Sequence, residues 1–152
     1  MTGEFERRHG FPPGTNEVRL ASRDDQAAAR TLCQALLIPA GLVPFYDCIG
    51  DVTWADIGSG YFLDPARVVL LRLQDYGAVD LGADQKVQGL VIGSNGGGLS
   101  YAVGPDGSVH RTRTASLDEP ELDKVADDLR QLLELLERSL TRIVVDGEPG
   151  SL

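Results

Sequence analysis

Histidine and cysteine, the usual protein ligands of transition metals, number only two each in a chain of 152 residues. His9 and His110 stand alone in sequence, and Cys33 and Cys48 form no C-x-x-C pair. No metal-binding spacing is therefore written in the chain. Two cysteines are also too few for a disulfide framework, so both are expected to be reduced, buried, small apolar residues in a reducing compartment. No apolar run approaches the ~18 residues of a membrane span. The amino end, MTGEFERRHGFPPG, has no apolar core of a secretory signal. A cytoplasmic protein without a cofactor is the expectation.

Positive charge is scarce too. Lys and Arg total 14 against 23 Asp and Glu, giving a formal net charge of −9 and a sequence pI of about 4.6. Like charge opposes binding to a nucleic-acid backbone or an anionic membrane, whereas a basic protein partner is compatible with it. A hydrophobic fraction of 42% is enough for one core, and the length fits one domain.

The pattern along the chain predicts an amino-terminal arm (1–22), an α+β domain (23–141) and a carboxyl-terminal tail (142–152). In the arm, Phe5 and Phe11 offer packing, and Val18 and Leu20 alternate like a short edge strand. Residues 24 to 37 read as a helix capped by Ser22 or Asp24 and ended by Pro39. Leu42 to Cys48 read as a short second helix stopped by Gly50. Val52 and Trp54, the Gly58-Ser59-Gly60 turn, and Tyr61 and Leu63 suggest a hairpin. Asp64-Pro65 begins a helix well, yet Val68 to Leu71 suit a buried strand equally, so residues 64–73 stay undecided. Gln74 to Lys86 read as a surface loop.

Val87 to Ile92 read as a central strand, apolar on both faces apart from Gln88. Leu99 to Val103, a Gly104-Pro105-Asp106-Gly107 turn and Ser108 to Thr114 follow as a meander. On the last strand, His110, Thr112 and Thr114 share one face, and Arg111 and Arg113 share a face expected to be wet. Pro120 begins a long amphipathic helix whose apolar stripe is Leu122, Val125, Ala126, Leu129, Leu132, Leu133, Leu136 and Leu140. Ile143 to Val145 in the tail could add a short strand.

The cluster Gly93-Ser94-Asn95-Gly96-Gly97-Gly98 opens onto a strand. A phosphate loop should open onto a helix, and the Lys-Ser/Thr pair of a P-loop is missing. Ile92 occupies the first glycine position of a nucleophile elbow, which leaves Ser94 without support as a nucleophile. The glycines read first as a wide turn and second as a ligand site. No nucleophile, metal or cofactor signal supports an enzyme. Among the acids, Asp56 follows Trp54 and could be partly desolvated. From Asp118 to Leu140, eight acids face three bases.

In order, LLIPAGLVPFYDCIGDV, VTWADIGSGYFL, VQGLVIGSNGGGLSYAVGPDGSVH and ELDKVADDLRQLLELLERSL resemble the SUKH superfamily. That fold is found in many bacterial toxin-immunity proteins and in a fungal cell-wall-synthesis regulator. The likeness spans residues 24 to 140. The family's segment around the second helix carries an acidic-Leu-Pro-x-x-Tyr flavour followed by Asn-Gly. Here Ile38-Pro39 precedes Phe45-Tyr46 and no Asn precedes Gly50, so the chain resembles a divergent member. The family has no catalytic constellation, so the resemblance implies no active-site residue. It gives Trp54, Gly93, Gly96, Gly97 and Gly98 structural roles.

The expectation is an α+β fold with an antiparallel-rich sheet of five or six strands, helices packed against it and a carboxyl-terminal amphipathic helix. The leading function is a non-catalytic, immunity-type protein-binding module, monomeric or weakly dimeric, with Asp56, Asp118, Glu119 and Glu121 facing a basic toxin domain. The alternatives are a small-molecule or nucleotide sensor using the Gly93–Gly98 loop, and a regulatory or scaffold domain.

Overall fold

The computed structural model describes Arg7 and residues 16–35, 41–55, 59–82, 87–118 and 121–147. Phe5, Phe11, Pro39, Gly58, Lys86 and Pro120 lie outside the described residues. The described residues form an α+β domain of four helices on an eight-stranded antiparallel sheet. The strands are β1 (Asn16–Leu20), β2 (Ile49–Trp54), β3 (Tyr61–Leu63), β4 (Val79–Asp80), β5 (Gln88–Asn95), β6 (Ser100–Val103), β7 (Val109–Thr112) and β8 (Leu122–Ala126). The helices are α1 (Arg23–Ala35), α2 (Leu42–Cys48), α3 (Ala66–Tyr76) and α4 (Leu129–Asp146). None is long and apolar enough to cross a membrane.

The sheet runs β1-β2-β3-β5-β6-β7-β8, with β4 also paired to β5. As its apolar sequence implies, β5 is central. Its start pairs with β4 (Val79↔Gly89), its end with β3 (Leu63↔Gly93), and β6 lies alongside. Helix α3 connects β3 to β4. Residues 64–73 thus resolve to the helical option, although Asp64 is no cap: its carboxylate pairs with Arg72 Nη1 at 2.8 Å. Arg72 Nη1 also approaches the Val91 carbonyl at 3.5 Å, between the stretches of β5 paired to β3 and β4. The expected loop from Gln74 gives way to the last turn of α3 and to β4.

All four helices feed one core. Ala29 and Leu32 of α1, Leu42, Phe45 and Tyr46 of α2, and Ala66 and Val69 of α3 meet sheet residues including Leu90, Ile92 and Tyr101. Leu129, Leu132, Leu136 and Ile143 of α4 complete it. Burying each leucine contributes roughly 1.5–3 kcal/mol before conformational entropy is counted. Val79, Val91 and Ala102 form a smaller cluster, using the alternate residues of β5 and β6.

Four expectations are corrected here. Leu122, Val125 and Ala126 belong to a strand, because β7 would otherwise present an open edge and β8 satisfies it, with Thr112 opposite Leu122 and Val109 opposite Ala126. The helix starts at Leu129 rather than at Pro120: Asp128 Oδ1 accepts from Gln131 N at 2.7 Å, and Gln131 Oε1 accepts from Asp127 N at 2.5 Å. This is a shifted capping box. The tail is also shorter, since Ile143 to Val145 are helical and Gly147 ends α4 in the left-handed region at φ 74°, its N–H donating to Ile143 O. Finally, the cysteines are thiols but not both buried: Cys33 is half-buried and Cys48 exposed.

Candidate functional site

The glycine loop is closed on itself. Gly96 N–H donates to Gly60 O at 3.2 Å, Gly97 N–H to Asn95 Oδ1 at 3.0 Å, Gly98 N–H to Asn95 O at 3.2 Å and Leu99 N–H to Asn95 Oδ1 at 2.9 Å. Four consecutive donors are engaged, so no nest of N–H groups is left for an anion. Three of the four glycines have their own reason to be there. A Cβ on Gly93 would overlap the carbonyl oxygen of Phe62, and one on Gly96 that of Ser59. Gly98 holds a positive φ of 86°. Gly97 meets nothing closer than Asn95 Oδ1 at 3.3 Å, so its position needs no glycine.

His110 lies two residues from Ser108, whose Oγ is 2.9 Å from His110 Nε2 and 2.5 Å from Asp106 Oδ1. The carboxylate faces the serine, not the imidazole, so the order of a catalytic relay is not formed. Asp106 also accepts from Ser108 N at 3.0 Å, and the group locks the β6–β7 turn. Desolvation lowers the His110 pKa, while the charge of Asp106 opposes that shift. No group of three metal-ligating side chains occurs among the described residues.

Arg111 departs from its expected wet position. It sits opposite buried Tyr101 on β6 and opposite Asp123 on β8, and its Nε is buried. Burial pushes the Tyr101 hydroxyl up to about 12, with the positive charge of Arg111 acting the other way. Arg113 is exposed as expected and forks between Asp123 (2.7 Å) and Glu121 (3.2 Å). That pairing holds the Asp123 carboxyl below its usual range.

Of the four candidate acids, Asp56 and Glu119 lie outside the described residues. Asp118 and Glu121 are both exposed near the β7–β8 connection. Asp118 lines a cleft of about 500 Å³ with Arg72, Tyr76 and Ser116, and it has no ion-pair partner among the described residues. Trp54 is half-buried against the core. With Val18, Ile49 and Val52 it lines a second groove, of about 460 Å³, whose other wall is α4. Sequence reasoning missed this groove. Its only signal was Leu133, which widens the apolar stripe of α4. No family model and no curated protein matches the chain.

Proposed function

We propose that the chain is a non-catalytic protein-binding module of the toxin-immunity type, a divergent relative of the SUKH proteins, acting in the cytoplasm on a basic toxin domain. The observation that carries this reading is the exposed carboxylate of Asp118, without an ion-pair partner among the described residues, on a chain of net charge −9. Carboxylates placed where a nuclease expects phosphates can cover a basic cleft and steer its capture. The sensor reading draws no support from the loop, whose donors are already engaged.

The test is a purified complex with the basic terminal domain encoded beside this chain's gene. Reversing both charges (Asp118→Lys with Glu121→Lys) is expected to weaken association by roughly tenfold or more, mainly through a slower on-rate, and to flatten its salt dependence. An association rate indifferent to both changes overturns the surface assignment. A neighbourhood with no such domain, and a chain that inhibits no toxin, overturns the function.

A further inference from the structure

Helix α3 ends at Tyr76, and Gly77 turns the chain at φ 76° towards β4. Tyr76 is left 86% exposed, more than any other large hydrophobic side chain among the described residues. It lines the cleft of about 500 Å³ together with Arg72, Val79, Val91, Leu117 and Asp118. That volume falls in the roughly 300–1,000 Å³ range of ordinary ligand pockets. Val79 and Val91 are buried and belong to the smaller apolar cluster, so the cleft has a fixed apolar floor. Leu117, 36% exposed, adds apolar surface beside the acid. Two charged side chains line the cleft. Arg72 is compensated, with Nη1 at 2.8 Å from Asp64 Oδ2 and 3.5 Å from the Val91 carbonyl. Asp118 is not. Among the described residues its carboxylate makes no ion pair and accepts no hydrogen bond; only its backbone N–H is engaged, with Ser116 Oγ at 3.4 Å.

We propose that this cleft is a socket for one arginine side chain of the basic partner protein, its guanidinium paired with Asp118 and stacked on Tyr76. The inference rests on the binding-module reading and deepens it, from a charged surface to a single anchoring side chain. With Arg72 held by Asp64, the net charge facing an occupant is that of Asp118, and it selects a cation. The face of an exposed tyrosine attracts a cation through its ring quadrupole. A planar guanidinium stacks there and still presents paired N–H groups to a carboxylate. A lysine ammonium is neither planar nor readily stripped of its water. The apolar floor suits the methylene stem that leads to the guanidinium. A second copy of the chain is disfavoured, because two bodies of net charge −9 repel each other. Asp118 and Tyr76 then act at different moments. The carboxylate speeds capture, and the filled socket slows release, as buried arginine and tyrosine anchors do at other interfaces.

The probes are the Nα-acetylated amides of arginine, lysine and citrulline, titrated into the full chain at low salt and followed by backbone amide chemical shifts. Arginine is expected to give saturable shifts at residues 77–79 and 115–118. Lysine is expected to bind about threefold more weakly, and citrulline, which has the same shape without the charge, to give no saturable shift. Tyr76→Ala is expected to weaken arginine binding about threefold and Asp118→Asn about fivefold, whereas Tyr76→Phe and the distant Glu137→Gln leave it unchanged. Tyr76 and Asp118 are both exposed, so these variants are expected to fold. Lysine or citrulline binding as tightly as arginine overturns the guanidinium assignment. Shifts of equal size around Glu137, or self-association through the cleft without a probe, overturn the socket. The basic partner of the previous test serves as the second arm, where Tyr76→Ala is expected to speed release about threefold with little change in capture. If that complex forms with residues 77–79 unshifted and its release is indifferent to Tyr76→Ala, this inference fails and the binding-module reading stands. If no basic partner binds but the arginine amide fills the cleft, the reading fails and the socket stands.

Discussion

Replacing Asp25 by alanine is expected to lower the unfolding free energy by about 2–3 kcal/mol, below the roughly 3–5 kcal/mol of breaking a fully buried ion pair. Asp25 is only 3% exposed and joins three pieces of chain. Arg19 of β1 grips it through Nη1 at 2.7 Å and Nη2 at 3.2 Å, while Arg19 Nε reaches Asp51 of β2 at 2.7 Å. Ser22 donates to it from both N and Oγ at 2.8 Å, and Ser22 Oγ accepts from Asp25 N, a reciprocal cap on α1. Loss of the carboxylate leaves a guanidinium facing a hole and Ser22 N–H without its acceptor. The estimate is held down because the Arg19 side chain is 38% exposed and water screens part of the loss. Asp25→Asn keeps one acceptor and is expected to cost about half as much. Urea unfolding of both variants checks this. A change under ~0.5 kcal/mol for the alanine variant would show that the network is ornamental.

The same cluster sets a pH dependence. Hydrogen bonding from Arg19 holds the Asp25 carboxyl far below its usual range, with burial opposing the shift. A carboxyl more acidic in the folded state binds fewer protons there than in the unfolded chain. Its contribution is therefore complete above the unfolded value near ~3.9 and is lost as pH falls towards the folded value. Stability is expected to decline from about pH 5 downward, and Asp25→Asn is expected to flatten that slope. Equal slopes in the two proteins, measured by urea midpoints between about pH 5 and 3, would assign the acid sensitivity elsewhere.

Local chemistry made much of this fold legible. The spacing of Ala28, Leu32 and Ala35 gives α1, and Leu42 to Cys48 form α2 with the bounds the sequence implies. What failed was pairing at a distance. Leu122, Val125, Leu129 and Leu132 repeat as a helix does, yet the open edge of β7 claims the first two. No periodicity within one segment reports that demand. Val79 and Asp80 form a strand only because the start of β5 offers them partners. The tail differs from its expected strand because β-branched Ile143, Val144 and Val145 favour strands, whereas the core reached by Ile143 outweighs that preference.

The candidate site was legible in kind and not in detail. The turn reading holds from Gly96 onward, where Asn95 supplies the bonds that close the loop, whereas Gly93 to Asn95 continue β5 because β3 and β6 pair with them. Arg111 was placed on a wet face because alternation alone treats a charged residue as outward-facing. Its true neighbours, Tyr101 and Asp123, come from strands before and after it. The groove beside β1 needed α4 laid against Val18 and Trp54, a juxtaposition of residues far apart in the chain.

Gly93→Ala is expected to destabilise the domain by about 3 kcal/mol, at the top of the usual range for overpacking. The added methyl would overlap the carbonyl oxygen of Phe62 and crowd Leu63 Cα at 3.1 Å, both parts of a paired backbone. A flexible side chain could swing away, but β3 cannot retreat from β5 without losing the Tyr61↔Asn95 and Leu63↔Gly93 pairs. Gly97→Ala, four residues on, meets no backbone and nothing closer than the Asn95 side-chain oxygen at 3.3 Å, and is expected to change stability by less than ~0.5 kcal/mol. The contrast separates two meanings of a glycine-rich segment. If the cluster serves loop freedom, both substitutions cost alike; if it serves close approach of strands, only Gly93 is sensitive. Thermal and urea unfolding of the pair decides between them, and equal losses would remove the scaffold role assigned to Gly93.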